Sequence, residues 1–188
     1  MKKIYFVRHC SADGQHKDAP LTKMGIQQAV ELATFFEKEQ VTFDLILTSP
    51  YLRAIESIKP YTQLTGIPIE YDERLKERIL SEDPVEDWME ALEKSFMDYS
   101  FSLHGGESAR DVMARANEVI HEITRDASIN NVIIVSHGNL LSHLFNQYDN
   151  SFGFEQWKEL RNPDIYLLQL DSDNNSSKLE CIWNPDNY

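Results

Sequence analysis

Short runs that are apolar at every position alternate along this chain with stretches whose apolar residues recur every three or four positions. The first kind suits strands buried on both faces and the second amphipathic helices, so the alternation predicts a mixed sheet with helices packed against it. Ile4 to Val7, Leu45 to Leu47 and Val132 to Val135 read as buried strands, and Pro68 to Tyr71 as a weaker fourth. Between Lys23 and Lys38, residues Ile26, Ala29, Val30, Ala33 and Phe36 mark one helical face. Ser49-Pro50 reads as N-cap and first turn of a second helix reaching about Thr65, kinked at Pro60, and Asp83-Pro84 as the start of a third. Val112, Ala116, Val119, Ile120 and Ile123 give a fourth behind Gly105-Gly106-Glu107-Ser108, and a fifth follows His137-Gly138. Ile165 to Leu170 and Leu179 to Trp183 read as a hairpin about a turn at Asp171 to Ser177. No repeat or linker interrupts the pattern, which predicts one α/β domain over residues 1–188.

Composition adds mainly exclusions. The 188 residues are 41% hydrophobic and 26% charged, as in a globular protein, and carry a net charge of −13. That balance argues against a nucleic-acid or anionic-membrane partner, because phosphate contacts need a basic face. Four apolar residues before Arg8 are too few for a signal-peptide core, and no run approaches a membrane span. Two cysteines, Cys10 and Cys181, build no disulfide scaffold; the expected compartment is the cytoplasm. Asp171 to Asn175 is similar to a calcium loop, but Ser176 and Ile182 stand where Gly and a bidentate Glu are required, so it reads as a turn. The same stretch holds glycosylation sequons at Asn174-Asn175-Ser176-Ser177, without meaning in an unsecreted chain.

Three strands run into reactive residues: Val7 into Arg8-His9, Leu47 into Thr48-Ser49-Pro50 with Arg53 one turn on, and Val135 into Ser136-His137-Gly138. In an open α/β sheet the carboxyl ends of the strands border the ligand crevice. Two imidazoles and two guanidiniums would therefore meet there. Guanidinium forks match phosphate oxygens, a neutral imidazole can attack phosphorus, and a second, protonated one can hold phosphoryl oxygens. The chemistry this suggests is phosphoryl transfer through a phosphohistidine with no metal or other cofactor.

The same residues carry a resemblance. Phe6-Val7-Arg8-His9, Pro20-Leu21-Thr22 with Gly25-Ile26-Gln27-Gln28-Ala29, Thr48-Ser49-Pro50 with Arg53-Ala54, Gly106-Glu107-Ser108 with Asp111, and Val135-Ser136-His137-Gly138 occur in the order seen in the histidine phosphatase superfamily, the phosphoglycerate mutase-like proteins. It spans residues 4 to 140 and implies a three-layer α/β/α fold with a mostly parallel mixed central sheet. It implies His9 as the phosphorylated nucleophile, with Arg8, Arg53 and His137 completing the phosphate pocket. The family's proton donor sits in a Leu-x-Glu-Arg setting, matched by Leu75-Lys76-Glu77-Arg78, which makes Glu77 the candidate and Glu73 its competitor. Glu107 is expected to support the site or begin the helix, and Ser108 to be an N-cap or a functional residue.

Departures from the mutase pattern matter as well. Cys10, Ser11 and Gln15 replace the Gly, the Glu or Gln, and the Asn of the strict fingerprint, leaving Gln15 as a possible amide donor to phosphate. The usual Gly after the donor is absent, since Ile79-Leu80-Ser81 follows Arg78, and there is no basic Glu-Arg-Arg-Ser-Phe lid. Residues 79–105 form instead an acidic, aromatic segment read as a cap over the leaving group, or as an amphipathic helix covering the core. The expected activity is hydrolysis of a small phosphorylated substrate by a metal-independent phosphatase. A phosphoglycerate mutase-type phosphotransferase and a non-catalytic phosphate-binding regulatory module are the alternatives.

Cys10 beside the nucleophile reads as a small buried hydrophobe, with a redox-sensitive thiol as the rival reading. His16, His104, His121 and His143 lack ligand spacing and read as surface or packing residues. The net charge at first argues against a phosphate ester, yet residues 1–60 hold 8 basic and 7 acidic side chains against 7 and 16 in residues 61–127. Substrates with further negative groups are expected to be disfavoured unless the cap supplies Arg78 or Lys94.

Overall fold

Ile4, Tyr5, Phe6 and Val7 are each at most 1% exposed, which places their strand inside a sheet covered on both faces. The computed structural model describes residues 1–171 and 177–184. It arranges six strands in one sheet: β1 (Lys2–Arg8), β2 (Leu45–Thr48), β3 (Ile69–Tyr71), β4 (Asn131–Ser136), β5 (Asp164–Leu170) and β6 (Ser177–Cys181). Their order is β3-β2-β4-β1-β5-β6, with β1 to β4 mutually parallel, β5 antiparallel to β1, and β6 antiparallel to β5.

Alternation along the strands divides the core in two. Tyr5, Val7, Ile46, Ile133 and Val135 point to the side covered by α1 (Lys23–Lys38) and α2 (Leu52–Thr65). Ile4, Phe6, Leu47, Val132 and Ile134 point to the side where α3 (Trp88–Met97), α4 (Ala109–Arg125), α5 (Gly138–Phe145) and α6 (Phe154–Glu159) follow in the chain, with α4 and α5 supplying most of the cover. The result is three layers, helices on both faces of a mostly parallel sheet, as expected. No helix among the described residues is long and apolar enough to cross a membrane.

Several local expectations change. In α1 the buried face is Gly25, Ala29, Leu32, Ala33, Phe35 and Phe36, while Ile26 and Val30 are 59% and 55% exposed. Gly25 sets that rotation, since a Cβ there would stand 2.0 Å from the Ser11 carbonyl oxygen and only glycine admits the close approach. The expected Ser49 cap is not one: α2 starts at Leu52 behind Tyr51, without a side-chain cap, and the Ser49 hydroxyl is engaged by His137. The helix continues through Pro60 to Thr65. Asp83-Pro84 precedes α3 by a full turn, because α3 begins at Trp88. Ser108 is the N-cap of α4, its hydroxyl accepting from Asp111 N at 3.2 Å and Asp111 reciprocating to Ser108 N at 2.9 Å. Trp183 lies beyond β6, buried against Phe35 with ring centroids 5.6 Å apart. The hairpin turn, including the calcium-like stretch, falls mostly on residues 172–176, outside the described ones.

Candidate active site

Strand register brings the reactive residues together. Arg8 is level with Ser136 and Thr48 with Val135, so the next residues out, His9, His137 and Ser49, leave three adjacent strand ends side by side. Backbone bonds carry that alignment one step further, His9 N donating to Ser136 O at 3.0 Å and Ser49 N to Val135 O at 2.9 Å.

His9 is 7% exposed, and its Nδ1 lies 2.7 Å from the Cys10 carbonyl oxygen. A carbonyl only accepts, so Nδ1 carries the proton and Nε2 presents its lone pair. That lone pair receives the Arg53 Nε–H at 3.2 Å. Burial, with Arg53 and Arg8 adding to it, lowers the His9 pKa to about 3 against the weaker pull of the Cys10 bond, so the imidazole is neutral. The Asn162 amide fixes the same residue from behind, donating to His9 O at 2.7 Å.

Arg53 is fully buried on the first turn of α2, its Nη1 donating to the carbonyls of Gln15 at 3.0 Å and His16 at 2.9 Å. Arg8 donates from Nη1 to Leu160 O at 2.6 Å. Burial lowers the pKa of both guanidiniums from the usual arginine value, with the Glu77 charge opposing it. His137 is fully buried, its ring centroid 5.1 Å from that of His9 and 5.0 Å from that of Tyr51. Its Nε2 and the Ser49 hydroxyl are 2.7 Å apart, while Tyr51 N donates to the same hydroxyl at 3.3 Å. Burial first, and the charges around it second, hold the His137 pKa well below 6.5, so without ligand this imidazole is neutral rather than the protonated partner expected.

Glu77 joins from the loop after β3. Its carboxylate accepts from Asn139 N at 3.1 Å and Leu140 N at 3.0 Å, the exposed donors at the start of α5, and from Arg78 N at 2.8 Å. Glu73 lies instead exposed in the 3₁₀ turn Glu73–Leu75. Arg115 holds the loop, pairing with Glu107 at 2.8 Å while donating to the carbonyls of Arg74 at 2.6 Å and Lys76 at 2.8 Å. Glu107 thus supports the site and does not begin the helix.

A cleft of about 620 Å³ opens beside these groups, lined among others by Arg8, Gln15, Glu77, Arg78, Gly138 and Asn139. Gln15 stands exposed at its mouth, and it is the Gln15 carbonyl rather than the amide that bonds Arg53. Among the described residues, the buried side-chain polar atoms without a protein partner are Arg8 Nε, Arg53 Nη2, Arg78 Nη2, His137 Nδ1, Asn139 Oδ1 and His143 Nδ1. Three of these six atoms, on Arg8, Arg78 and Asn139, belong to residues that line the cleft, whereas natural proteins pair nearly all such atoms. No group of three or more His, Cys, Asp and Glu among the described residues is disposed to hold a metal ion.

Sequence reasoning missed Ser49, Asn162 and Arg115. Asn162 had a readable signal: a strand antiparallel to β1 brings the residues before it to the carboxyl end of β1. Cys10 is fully buried, and burial pushes its thiol up to about 12, the setting of a packed small hydrophobe. His143 is buried, its Nε2 3.3 Å from Arg78 Nη1 and its ring stacked on Phe96 at 4.3 Å, whereas His16, His104 and His121 are exposed. Of the two cap cations, Arg78 lines the cleft; Lys94 lies over the Phe101 ring at 4.4 Å, away from it.

The chain is similar to known proteins. The sequence is similar to a 6-phosphofructo-2-kinase/fructose-2,6-bisphosphatase of Caenorhabditis elegans, 31% identical over 151 residues that make up 74% of this chain and 32% of that protein. It is similar to a glucosyl-3-phosphoglycerate phosphatase of Mycolicibacterium vanbaalenii, 30% identical over 146 residues, 68% of this chain and 62% of that one. The chain therefore spans about a third of the length of the first relative and under two thirds of the second. Among solved structures, a mycobacterial glucosyl-3-phosphoglycerate phosphatase in complex with inorganic phosphate superposes with a TM-score of 0.76 at 25% identity, covering 98% of this chain and 97% of that one. The sequence pattern of the histidine phosphatase superfamily (branch 1) matches residues 4–184, and the chain belongs to that superfamily.

Proposed function

We propose that this chain is a metal-independent phosphatase that hydrolyses small phosphate monoesters through a phosphohistidine on His9. The observation that carries the reading is the state of His9: neutral, with its proton on Nδ1 facing Cys10 O and its Nε2 lone pair directed at Arg53. A neutral, oriented imidazole is the form that attacks phosphorus.

In the first step Nε2 bonds to phosphorus and the phosphorus–oxygen ester bond breaks, its electron pair leaving with the alkoxide. Glu77, held by the α5 amides at the edge of the cleft, gives the leaving oxygen its proton. In the second step the Glu77 carboxylate takes a proton from water, the oxygen attacks phosphorus, and the phosphorus–nitrogen bond breaks to release phosphate and neutral His9. Arg8 Nε, Arg53 Nη2 and His137 Nδ1, all without protein partners, are the donors for the phosphoryl oxygens, and in a preorganised, buried site they stabilise the charge that builds there. Gln15 adds a polar group at the mouth.

Residues 79–105 serve in this reading as the cap, within one domain, since Leu80, Trp88 and Leu92 from that segment line the cleft. Phosphatase names among the relatives favour hydrolysis over transfer. Two unpaired cysteines support a cytoplasmic setting. The test is hydrolysis of 4-nitrophenyl phosphate in chelator, followed by mapping of an acid-labile phosphoryl group. Turnover with label on His9 supports the reading; turnover undiminished in His9→Ala would end it.

A further inference from the structure

The leaving-group side of the cleft is built of carbon. Leu80 and Leu92 lie below, and Trp88 at the start of α3 meets Trp157 of α6 with ring centroids 6.3 Å apart at 82°. The two indoles therefore form a corner. Trp157 is fixed in its plane by Phe154, stacked at 5.6 Å and 13°, and Phe154 in turn touches Phe96 at 6.1 Å. Trp88 is 47% exposed, so its ring is open to a group entering the cleft. Against this wall the cleft offers few polar groups beyond the catalytic ones, chiefly Arg78 and Asn139, so a polyol or sugar would lose most of its hydrogen bonds to water on entering.

Resting on the phosphatase reading above, we infer that this wall selects esters of aromatic alcohols, the substrate ring stacking on one indole and meeting the other edge-on. Perpendicular indoles present both of the ring arrangements that aromatic pairs prefer, and a planar ring entering the corner makes the two contacts at once. A cleft of about 620 Å³ has room for such a group beside the phosphoryl site. Trp88 and Trp157 are then specificity-determining residues.

The test compares kcat/KM for three primary alkyl esters of matched leaving-group chemistry: 2-phenylethyl, 2-cyclohexylethyl and ethyl phosphate. The expected order puts the phenyl ester about ten-fold above the ethyl ester and clearly above the cyclohexyl one. Trp157→Ala and Trp88→Ala should each bring the phenyl-to-ethyl ratio toward one, and Trp157→Phe should keep most of it. Because the quantity read is a ratio within one protein sample, partial unfolding of a variant cancels. A phenyl-to-ethyl ratio near one in the wild type, a cyclohexyl ester as good as the phenyl ester, or a ratio indifferent to both tryptophan substitutions overturns the inference and leaves the phosphatase reading standing. Absence of turnover of all three esters while 4-nitrophenyl phosphate is still hydrolysed overturns the inference alone, and absence of turnover of all four overturns both.

Discussion

The Ser49 hydroxyl lies 2.7 Å from His137 Nε2, at the junction of two strand ends that are 88 residues apart in sequence. A serine in a Ser-Pro pair ahead of a helix would ordinarily cap it, but here its hydroxyl fixes which edge of the second histidine faces the cleft. With Nε2 engaged, Nδ1 is the nitrogen left for a phosphoryl oxygen. Ser49→Ala should lower kcat by roughly ten-fold while KM changes less, and should cost about 1–3 kcal/mol of stability because a buried imidazole nitrogen loses its partner. Steady-state kinetics with thermal denaturation on the same preparation check both. An unchanged kcat would remove His137 orientation from the mechanism.

His9 and Glu77 act at different moments, which separates their variants. His9→Ala removes the nucleophile and should abolish turnover and labelling together. Glu77→Gln keeps one oxygen to accept from Leu140 N and Arg78 N, places an amide NH2 where an oxygen accepts from Asn139 N, and can neither supply nor accept the proton. With a good leaving group, such as 4-nitrophenolate, which needs no proton to depart, the first step then outpaces the second. Quenching the Glu77→Gln reaction in alkali should trap phosphohistidine in amounts approaching one per chain, where the wild type shows little. Absence of trapped intermediate alongside slow turnover would move the proton transfers elsewhere.

The layered fold and the grouping of the candidate site residues at neighbouring strand ends were legible because each depends on a local pattern. A short, β-branched apolar run such as Val132 to Val135 reads as a buried strand, and Arg8-His9 and Ser136-His137 follow such strands directly. What could not be read depends on contacts between distant segments. Ile26 and Val30 look buried until Gly25 docks on Ser11 and turns α1. Ser49 looks like a cap until β2 and β4 pair. The choice of Glu77 over Glu73 comes from the family spacing, and what could not be read is that the Glu77 carboxylate accepts from the amides at the start of α5.

Acid should destabilise the protein through its buried histidines. His9 and His143 are brought to about 3 and His137 well below 6.5, chiefly by burial. Between pH 6.5 and about 3 the folded protein leaves these rings neutral while the unfolded chain protonates them, so the unfolded state binds more protons. Stability is therefore full above pH 6.5 and declines as pH falls, by up to about 1.4 kcal/mol per pH unit for each ring. His143→Asn removes one of the three without touching His9 or His137, and should reduce the histidine part of that slope by about a third. Urea unfolding from pH 7.5 to 5 measures it; a slope identical to wild type would mean that His143 protonates in the folded state.

Peroxide should leave activity intact despite a cysteine next to the nucleophile. The Cys10 thiol is fully buried and pushed up to about 12, so thiolate is scarce and reagent access poor. Iodoacetamide followed by peptide mass spectrometry should find Cys181, the exposed thiol, labelled well before Cys10. Rapid inactivation by peroxide, prevented in Cys10→Ala, would show the opposite.

Gly138 sits where α5 begins, and a Cβ at that position would stand 3.0 Å from Arg8 Nε and 3.1 Å from its Cζ. Arg8 Nε is one of the unpartnered donors of the cleft, so a methyl group there pushes against a guanidinium that the phosphoryl group needs in place. Arg8 has limited room to yield, because its Nη1 is tied to Leu160 O at 2.6 Å. A displacement of a few tenths of an ångström at a charge-stabilising donor costs catalysis more than folding. Gly138→Ala should thus reduce kcat/KM by roughly ten-fold to a hundred-fold, while phosphate binding weakens and the circular dichroism spectrum and melting temperature stay close to wild type. If the variant instead unfolds without a kinetic defect in the folded fraction, Gly138 serves the helix start and not the placement of Arg8.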